Sequence, residues 1–488
     1  MVTATFVGAV ALGLGPAGAG IAAVGSLPAP VPAVTDYQFL SGSTTPPAET
    51  DCFSAGRRCF TPTTMQASYN LPPLYAANDE GQGMTIAIID SFGNPNMASD
   101  LGNFDTQMGV PHMCGEPGVT CTAGMPTFQH VYWNGKTQVM APPSGSNGVG
   151  IQTRNIWALE TALDVEWAHA IAPKANILNV TTNPAEVLGV QGFPAMMDAE
   201  QFIVDHNEAN VITQSFGAAE ETFGTPQSLL NLRHAFISAA ANGVTVLASS
   251  GDGGSSNAAK TPVNHPGTFP FPTVGWPASD PLVTAVGGTY LCTNPATGTG
   301  VDTTDPPAEC RSPANPGVRE YGWIASGGGF SHIFTKPSYQ DTLPAGSTAI
   351  GAMRGVPDVG YNASSHTGVL VYDTAPGDAE SGLHCPPSGN PCSAGWYDVG
   401  GTSASSPQWA GLVAIADQIA GHGLGQINSA LYTLASGPNY GTYFYDVTNG
   451  NNQADPAVPG YPATTGWDPV TGLGTPNAAT LVPALAGH

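Results

Sequence analysis

A glycine turn that runs directly into an apolar helical pattern occurs at Gly400-Gly-Thr-Ser-Ala-Ser-Ser-Pro407. Apolar residues recur at helical spacing from Trp409 to Ile419, which predicts a buried helix. Ser403 lies where the turn meets the helix, so we expect an exposed hydroxyl beside N–H groups that can stabilise negative charge. Serine is also a common helix cap, so the position alone leaves a nucleophile and a structural cap both open.

Upstream of this turn, short β-branched runs alternate with helical patterns. This alternation predicts an α/β fold with a largely parallel β-sheet covered by helices on both faces. Residues 111–150 and 290–320 are rich in Gly, Pro and Thr and are expected to form surface loops. The predicted strands are Thr85–Asp90, Asn176–Val180, Val211–Gln214, Val244–Ser249 and Leu282–Val286, and the predicted helices are 154–171, 186–206 and 225–241.

Polar residues follow three of these strands. Asp90, Ser215 and Asp252 lie at or just beyond strand ends. Functional groups in parallel sheets gather beyond the carboxyl ends of the strands, so we expect the site at that edge.

Charge is scarce and mostly negative in this chain of 488 residues. Only 9% of residues are charged, with 11 basic against 35 acidic side chains and a formal net charge of −24. This balance argues against a nucleic-acid partner, because no basic stripe exists. Few ion pairs also leave few interactions to lose in acid, so the composition permits function at low pH. We expect a monomer.

The eight cysteines fall into four couples that are close in sequence. Short loops that close locally are the simplest pairing and predict disulfides, although zinc binding is the alternative. Disulfides imply an oxidising compartment. The couples are Cys52 with Cys59, Cys114 with Cys121, Cys292 with Cys310, and Cys385 with Cys392.

Residues 1–34 form an apolar leader of small residues that resembles an export signal, although no Lys or Arg precedes the apolar run. Its glycines and Pro16 argue against a stable membrane span. A Pro/Thr-rich segment with one cysteine couple follows at 35–80, and a single large domain is expected at 81–486. With the cysteines, the leader predicts a secreted protein.

A helical pattern near 154–171 carries two acids one turn apart, Glu160 and Asp164. Apolar residues such as Leu163 and Trp167 share their face, so both carboxylates project from an apolar stripe. Burial and mutual repulsion should raise at least one pKa, and the pair should titrate as a unit. A carboxylate base remains active in acid, where an imidazole base is protonated. His169, on the same helix, is expected to be structural.

Together these segments resemble two related families. The G-T-S-x-x-x-P segment is similar to the nucleophile segment of subtilisin-like folds, and Asp90 resembles their early strand-end Asp. Subtilisins need a histidine in an H-G-T-H segment, which this sequence lacks. The helix with Glu160 and Asp164 resembles instead the E-x-x-x-D helix of sedolisins, the serine-carboxyl peptidases. Four more segments, within residues 60–480, look like sedolisin segments: Trp276–Thr289, Ser326–Ser331, Arg354–Asp358 and Gly466–Gly474.

The resemblance implies a subtilisin-like fold and an acid-acting endopeptidase. Ser403 would be the nucleophile, Glu160 the general base and Asp164 its partner. Asp252, within Ser249-Ser-Gly-Asp-Gly-Gly254, would be protonated and stabilise the oxyanion, although G-D-G is also ordinary turn chemistry. Two alternatives stay open: a neutral subtilisin-type peptidase that uses Asp90, and a catalytically silent, calcium-stabilised binding protein on the same fold.

The resemblance also implies one structural Ca²⁺ near the carboxyl terminus. The matching positions are Asp446, Val447, Thr464, Gly466 and Asp468, where Thr464 replaces a glycine and would contribute only its carbonyl. Oxygen ligands with two carboxylates suit calcium, and a polar Asn/Gly-rich turn is the alternative. Some sedolisins brace their acids with a further Glu and a Trp, and here Asp90 and Phe216 take those places.

Overall fold

The fold is known from a computed structural model that describes residues 31–32, 37–141, 151–182, 192–257, 267–303, 308–311, 317–375, 384–385, 390–391 and 394–488. Most of the predicted leader lies outside these residues. The strands are β1 (Val31–Pro32), β2 (Tyr37–Ser41), β3 (Thr85–Ser91), β4 (Phe128–Trp133), β5 (Gln138–Val139), β6 (Asn176–Thr182), β7 (Val211–Gln214), β8 (Phe216–Ala219), β9 (Thr245–Ser249), β10 (Gly275–Trp276), β11 (Thr284–Leu291), β12 (Glu320–Gly322), β13 (Gly329–Thr335), β14 (Met353–Val356), β15 (Val359–Asn362), β16 (Val369–Asp373), β17 (His384–Cys385), β18 (Asn390–Pro391), β19 (Gly395–Val399), β20 (Phe444–Tyr445) and β21 (Thr475–Pro476). The α-helices are α1 (Glu49–Ser54), α2 (Pro62–Ser68), α3 (Pro72–Ala76), α4 (Met97–Met108), α5 (Ile151–Ile171), α6 (Gly192–Asp205), α7 (Pro226–Leu230), α8 (His234–Ala241), α9 (Thr402–Ala420), α10 (Asn428–Ser436), α11 (Tyr440–Tyr443) and α12 (Ala478–Ala486).

The central sheet has the strand order β12-β11-β9-β7-β3-β6-β4-β5, and β15 also pairs with β11. Its inner pairs are parallel, while β12 and β5 add antiparallel edges. The predicted α/β class with a largely parallel sheet is therefore confirmed.

Strand β3 shows how the sheet separates two apolar layers. Its alternate residues face opposite sides because side chains alternate along a strand. Ile86 and Ile88 join the core cluster that contains α5 and α9, whereas Ala87 and Ile89 join the cluster that contains α6 and α8. Helices thus cover both faces.

One expectation about this sheet was wrong, and another had the wrong bounds. The predicted loop 111–150 contains β4, which pairs in parallel with β6 and buries Phe128 and Trp133. Its sequence, FQHVYW, alternates too imperfectly to reveal a strand. The strand predicted at Leu282–Val286 is β11, which continues through Gly288. Glycine is needed there because a Cβ at Gly288 would lie 2.5 Å from the Ala363 Cβ.

The local cysteine pairing is confirmed for three couples, Cys52–Cys59, Cys114–Cys121 and Cys292–Cys310. The fourth predicted partner, Cys392, lies outside the described residues. Within residues 35–80, Phe60 and Tyr69 are fully buried in the same core as α9. Among the described helices, none is long and apolar enough to cross a membrane.

Candidate active site

Ser403 lies in the first turn of α9. Gly401 caps this helix with a φ of +101°, a conformation that L side chains rarely adopt. The expected exposure of Ser403 was wrong: the residue is fully buried, because α9 runs through the core from its first turn. Its Oγ has no hydrogen-bond partner among the described residues. The helix start leaves first-turn N–H groups without intrahelical acceptors beside this hydroxyl.

Asp252 lies on the loop that follows β9 and is joined to the same helix turn. Its Oδ1 accepts hydrogen bonds from the Thr402 N–H at 2.8 Å and from the Thr402 hydroxyl at 3.0 Å. The Thr402 Oγ1 in turn accepts the Gly251 N–H at 3.0 Å. Asp252 and Ser403 are thus held together through the residue between them, a role of Thr402 that the sequence pattern did not reveal.

Glu160 and Asp164 are completely buried on α5. Every residue of this helix from 157 to 171 is buried, so burial extends around the whole helix and is not limited to the apolar face inferred from the sequence. The Ser215 hydroxyl donates to Asp164 Oδ1 at 2.9 Å. Burial raises the pKa of Asp164 well above its ordinary value, the charges of Asp90 and Glu160 raise it further, and the Ser215 hydrogen bond opposes them.

Asp90 at the end of β3 is a third buried acid in this group. It accepts a hydrogen bond from Asn179 Nδ2 at 2.9 Å, while burial raises its pKa to about 7. The other position that departs from the bracing pair, Phe216, packs its ring 6.3 Å from Trp157 and offers no hydrogen bond. The acids therefore lie next to one another without an indole donor from position 216.

Two contacts on one stretch of chain relate the acids to the serine turn. Thr213 Oγ1 lies 2.8 Å from Ser406 Oγ, and Ser215 bonds to Asp164. Residues two apart in an extended chain share a face and lie roughly 6.5 Å apart. Since Ser403 precedes Ser406 by one helix turn, the turn that holds Ser403 and the turn that holds Asp164 meet beyond the carboxyl end of β7.

The helices α5 and α9 run in the same direction at this contact. Gly411 lies against Ile171, where a Cβ would be 2.7 Å from the isoleucine Cβ. Ser403 precedes Gly411, and Asp164 precedes Ile171, by about two helix turns, roughly 11 Å. No hydrogen bond joins Ser403 to Glu160 in this structure, because Ser403 Oγ is without a partner among the described residues.

The residues of the predicted calcium site also come together. Both carboxylate oxygens of Asp446 accept the Gly466 N–H, at 3.1 and 3.2 Å, and Asp468 Oδ2 accepts the Thr464 N–H at 3.0 Å. Burial raises the pKa of Asp446, and raises that of Asp468 to about 7. Val447 is buried. One half-buried and one fully buried carboxylate on neighbouring loops form a donor set that fits a hard divalent cation.

Comparison with known proteins identifies the family. Residues 152–427 match the family model described as the subtilase family, an interval that contains Glu160, Asp164, Asp252 and Ser403. Kumamolisin from Bacillus sp. (strain MN-32) is 30% identical over 88% of this chain and 64% of its own length. Sedolisin from Pseudomonas sp. (strain 101) is 32% identical over 57% of this chain and 41% of its own length. The chain belongs to the subtilase family.

A solved structure shares the fold of this chain. Pseudomonas sedolisin, a serine-carboxyl proteinase solved with two molecules of pseudo-iodotyrostatin, superposes with a TM-score of 0.64 at 24% identity. The match covers 88% of this subtilase and 99% of the solved chain, which confirms the subtilisin-like fold. The chain spans less than two thirds of the length of the two relatives compared above.

Proposed function

We propose that the protein is an acid-acting serine-carboxyl endopeptidase with Ser403 as nucleophile and Glu160 as general base. The observation that carries this proposal is the complete burial of Glu160 and Asp164 on α5, the helix whose Ile171 packs against Gly411 of α9. Burying a carboxyl group without compensating partners raises the free energy of the folded state, so two acids one helix turn apart in the protein core indicate a function. The similarity to kumamolisin and sedolisin supports the same interpretation.

In the proposed reaction, Ser403 Oγ attacks the carbonyl carbon of a peptide bond while its proton passes to Glu160. The tetrahedral oxyanion accepts hydrogen bonds from protonated Asp252 and from the start of α9. Collapse breaks the C–N bond, the amine leaves with the proton from Glu160, and an acyl ester remains on Ser403. Water then attacks the ester by the same route in reverse and releases the acid.

The acidic range follows from the carboxyl groups. The raised pKa of Asp164 keeps it protonated in acid, so that it can donate to an ionised Glu160 and leave that residue free to take the serine proton. The same acidity would protonate Asp252. Loss of either proton at higher pH would end the reaction, because two neighbouring buried charges repel and the oxyanion would lose a donor.

A polypeptide substrate is favoured by the edge of β8. This strand already pairs antiparallel with a segment of its own chain, with Val31 opposite Gly217 and Pro32 opposite Phe216. The other edge of β8 is occupied by β10, so a peptide substrate would have to replace β1. Ser215, which holds Asp164, immediately precedes β8, so a peptide in the place of β1 would lie beside the acids. We propose secretion as well, because three disulfides require an oxidising compartment.

The test is digestion of a denatured protein across pH 2–8. Ser403→Ala and Glu160→Gln should each lower kcat by about 10³-fold or more, because each removes a reacting group. Ser405→Ala removes a hydroxyl from the same helix turn and Glu166→Gln replaces a buried acid on the same helix, so both serve as matched controls that should remain active.

Full activity in Ser403→Ala or Glu160→Gln would contradict the proposal. Activity that fades below about pH 6 would instead indicate a subtilisin-type peptidase with a histidine base. If no acid proteolysis occurs and a peptide aldehyde does not label Ser403, the fold carries a binding function.

We also propose that one structural Ca²⁺ is held by Asp446, Val447, Thr464, Gly466 and Asp468. The ion would neutralise the half-buried carboxylate of Asp446 and the fully buried carboxylate of Asp468. Chelation should lower Tm by several degrees and added calcium should restore it, since a ligand that binds only the folded state stabilises it. Asp468→Asn should abolish this calcium response, whereas Asp455→Asn, in an exposed turn of the same region, should keep it. An unchanged Tm after chelation would contradict the calcium site.

A further inference from the structure

A second group of potential metal ligands lies at the end of α4, away from both sites described above. Asp105, in the last turn of α4, His112 and Glu116 place one ligand atom each within 4.8 Å of one another. Asp105 and Glu116 are buried, while the His112 side chain is 41% exposed. The Cys114–Cys121 disulfide fixes the loop that carries Glu116.

Asp105 is the unusual member of this group. It is 1% exposed, and its Oδ1 accepts no hydrogen bond from the described residues. Its Oδ2 lies 3.4 Å from His169 Nε2, and the same nitrogen lies 2.8 Å from the Pro111 carbonyl oxygen. A buried carboxylate with an unused oxygen and a second carboxylate beside it is costly unless a cation joins them.

The other two residues already face each other. His112 Nδ1 contacts Glu116 Oε2, and the Met113 N–H donates to Glu116 Oε1, which fixes the orientation of this carboxylate. Among the described residues, His112 Nε2 contacts only Thr106 Oγ1, at 3.4 Å. Because this contact is exposed, the nitrogen can bind a cation without the loss of a buried hydrogen bond. Solvent reaches the group on the His112 side, which provides an entry path.

We propose that Asp105, His112 and Glu116 bind a divalent transition-metal ion, with Zn²⁺ the best match. One imidazole and two carboxylates, with water in the remaining positions, form a ligand set that zinc accepts at about 2 Å from each donor atom. The imidazole argues against calcium, which takes oxygen ligands. His169 is a positioning residue: its Nε2–H faces Asp105 and Pro111, which orients the carboxylate as outer partners of metal ligands do.

The ion would connect three parts of the fold. It would bind the end of α4 to the disulfide-closed loop, and through Asp105 and His169 it would support the carboxyl-terminal part of α5. The inference does not depend on the peptidase proposal, because none of its ligands takes part in that reaction.

The test is calorimetric titration of the metal-stripped full chain with ZnCl₂ at pH 7, where the ligands can lose their protons. Ser403→Ala provides the background, to prevent self-cleavage, and excess calcium occupies the carboxyl-terminal site. We expect one equivalent of Zn²⁺ to bind with micromolar affinity or tighter, and Tm to rise by a few degrees.

His112→Gln should weaken Zn²⁺ binding by at least about tenfold, and Glu116→Gln should do the same. His332→Gln is the matched control, since His332 is 49% exposed and its Nδ1 also contacts a glutamate, Glu221. This control should bind zinc like the background protein. Cooperative unfolding of each variant without zinc verifies that it is folded. Equal affinity in His112→Gln and the background protein, or no binding in either, would overturn the inference.

Discussion

At Asp252 a single carboxylate oxygen holds the turn that precedes Ser403. Since Oδ1 accepts both the N–H and the hydroxyl of Thr402, our proposed mechanism assigns the proton that is donated to the oxyanion to Oδ2. Asparagine keeps an acceptor at Oδ1 and offers an amide donor that does not titrate. We therefore expect Asp252→Asn to retain part of kcat and to extend activity to higher pH, measured as the shift of the alkaline limb of the pH–rate profile.

The comparison for this prediction is Asp252→Ala, which removes the acceptor and the donor together. It should lower kcat at every pH by about 10²-fold or more, as loss of an oxyanion donor does. If both variants gave the wild-type profile, Asp252 would be only a turn residue.

At the scale of elements, the contact between Gly411 and Ile171 sets the spacing of α9, which carries Ser403, and α5, which carries the two acids. Gly411→Ala tests it, because the added Cβ would lie 2.7 Å from two atoms of Ile171 and must push the helices apart. Alanine favours an isolated helix by about 1 kcal/mol, but overpacking costs about 1–3 kcal/mol. We expect a lower Tm by thermal unfolding and a fall in kcat that exceeds any change in KM.

Gly441→Ala in α11 is the matched control, since nothing lies within 4 Å of the Cβ that it would add. It should unfold and react like the wild type. Equal Tm and kcat for Gly411→Ala and Gly441→Ala would show that the spacing of α5 and α9 does not align the site.

At the scale of the whole molecule, buried acids make stability depend on pH. Burial raises the pKa of Asp90 and Asp417 to about 7 and that of Asp373 to about 8. Between the unfolded value near 4 and these folded values, the folded chain binds more protons than the unfolded chain. The free energy of unfolding therefore falls as pH rises through this window. The stabilising contribution of these three acids is fully present below about pH 4 and is lost by about pH 8.

One partly buried histidine acts in the opposite direction. Burial lowers the pKa of His130 to about 4, so its contribution increases with pH up to about 6.5 and then stays constant. Above that pH the acids act without this opposition, so the fall in stability should be clearest from pH 6.5 to 8. Thermal unfolding of the Ser403→Ala protein at fixed calcium checks this, and a Tm that rises over that interval would contradict it.

Asp373→Asn isolates one contribution to this pH dependence. Asparagine keeps the Oδ1 acceptor that bonds to Asn94 at 3.2 Å and to the Ala375 N–H at 2.8 Å, but cannot ionise. We expect a shallower loss of Tm between pH 5 and 8. Asp198→Asn, at an exposed position, should keep the wild-type slope. If Tm fell with pH at the same slope in both variants, Asp373 would not release a proton when the protein unfolds in this pH range.

The sequence alone was sufficient for the α/β class, three local disulfides and the family, because these depend on periodicity, short spacing and contiguous motifs. It also predicted that Glu160 and Asp164 share one face of a helix, since residues four apart do so in any α-helix. It did not show β4, whose alternation is imperfect, or the burial of Ser403, which depends on the elements that surround α9.

Only the tertiary structure decided which distant groups meet. The neighbourhood of Asp90 and Asp164, the link from Asp252 to Thr402, and the group of Asp105, His112 and Glu116 near His169 join different elements of the chain. No local pattern encodes these contacts, because they arise from the order of strands in the sheet and from how α4, α5 and α9 pack against it. The pKa shifts follow from the same packing, since burial and neighbouring charge are properties of the assembled core.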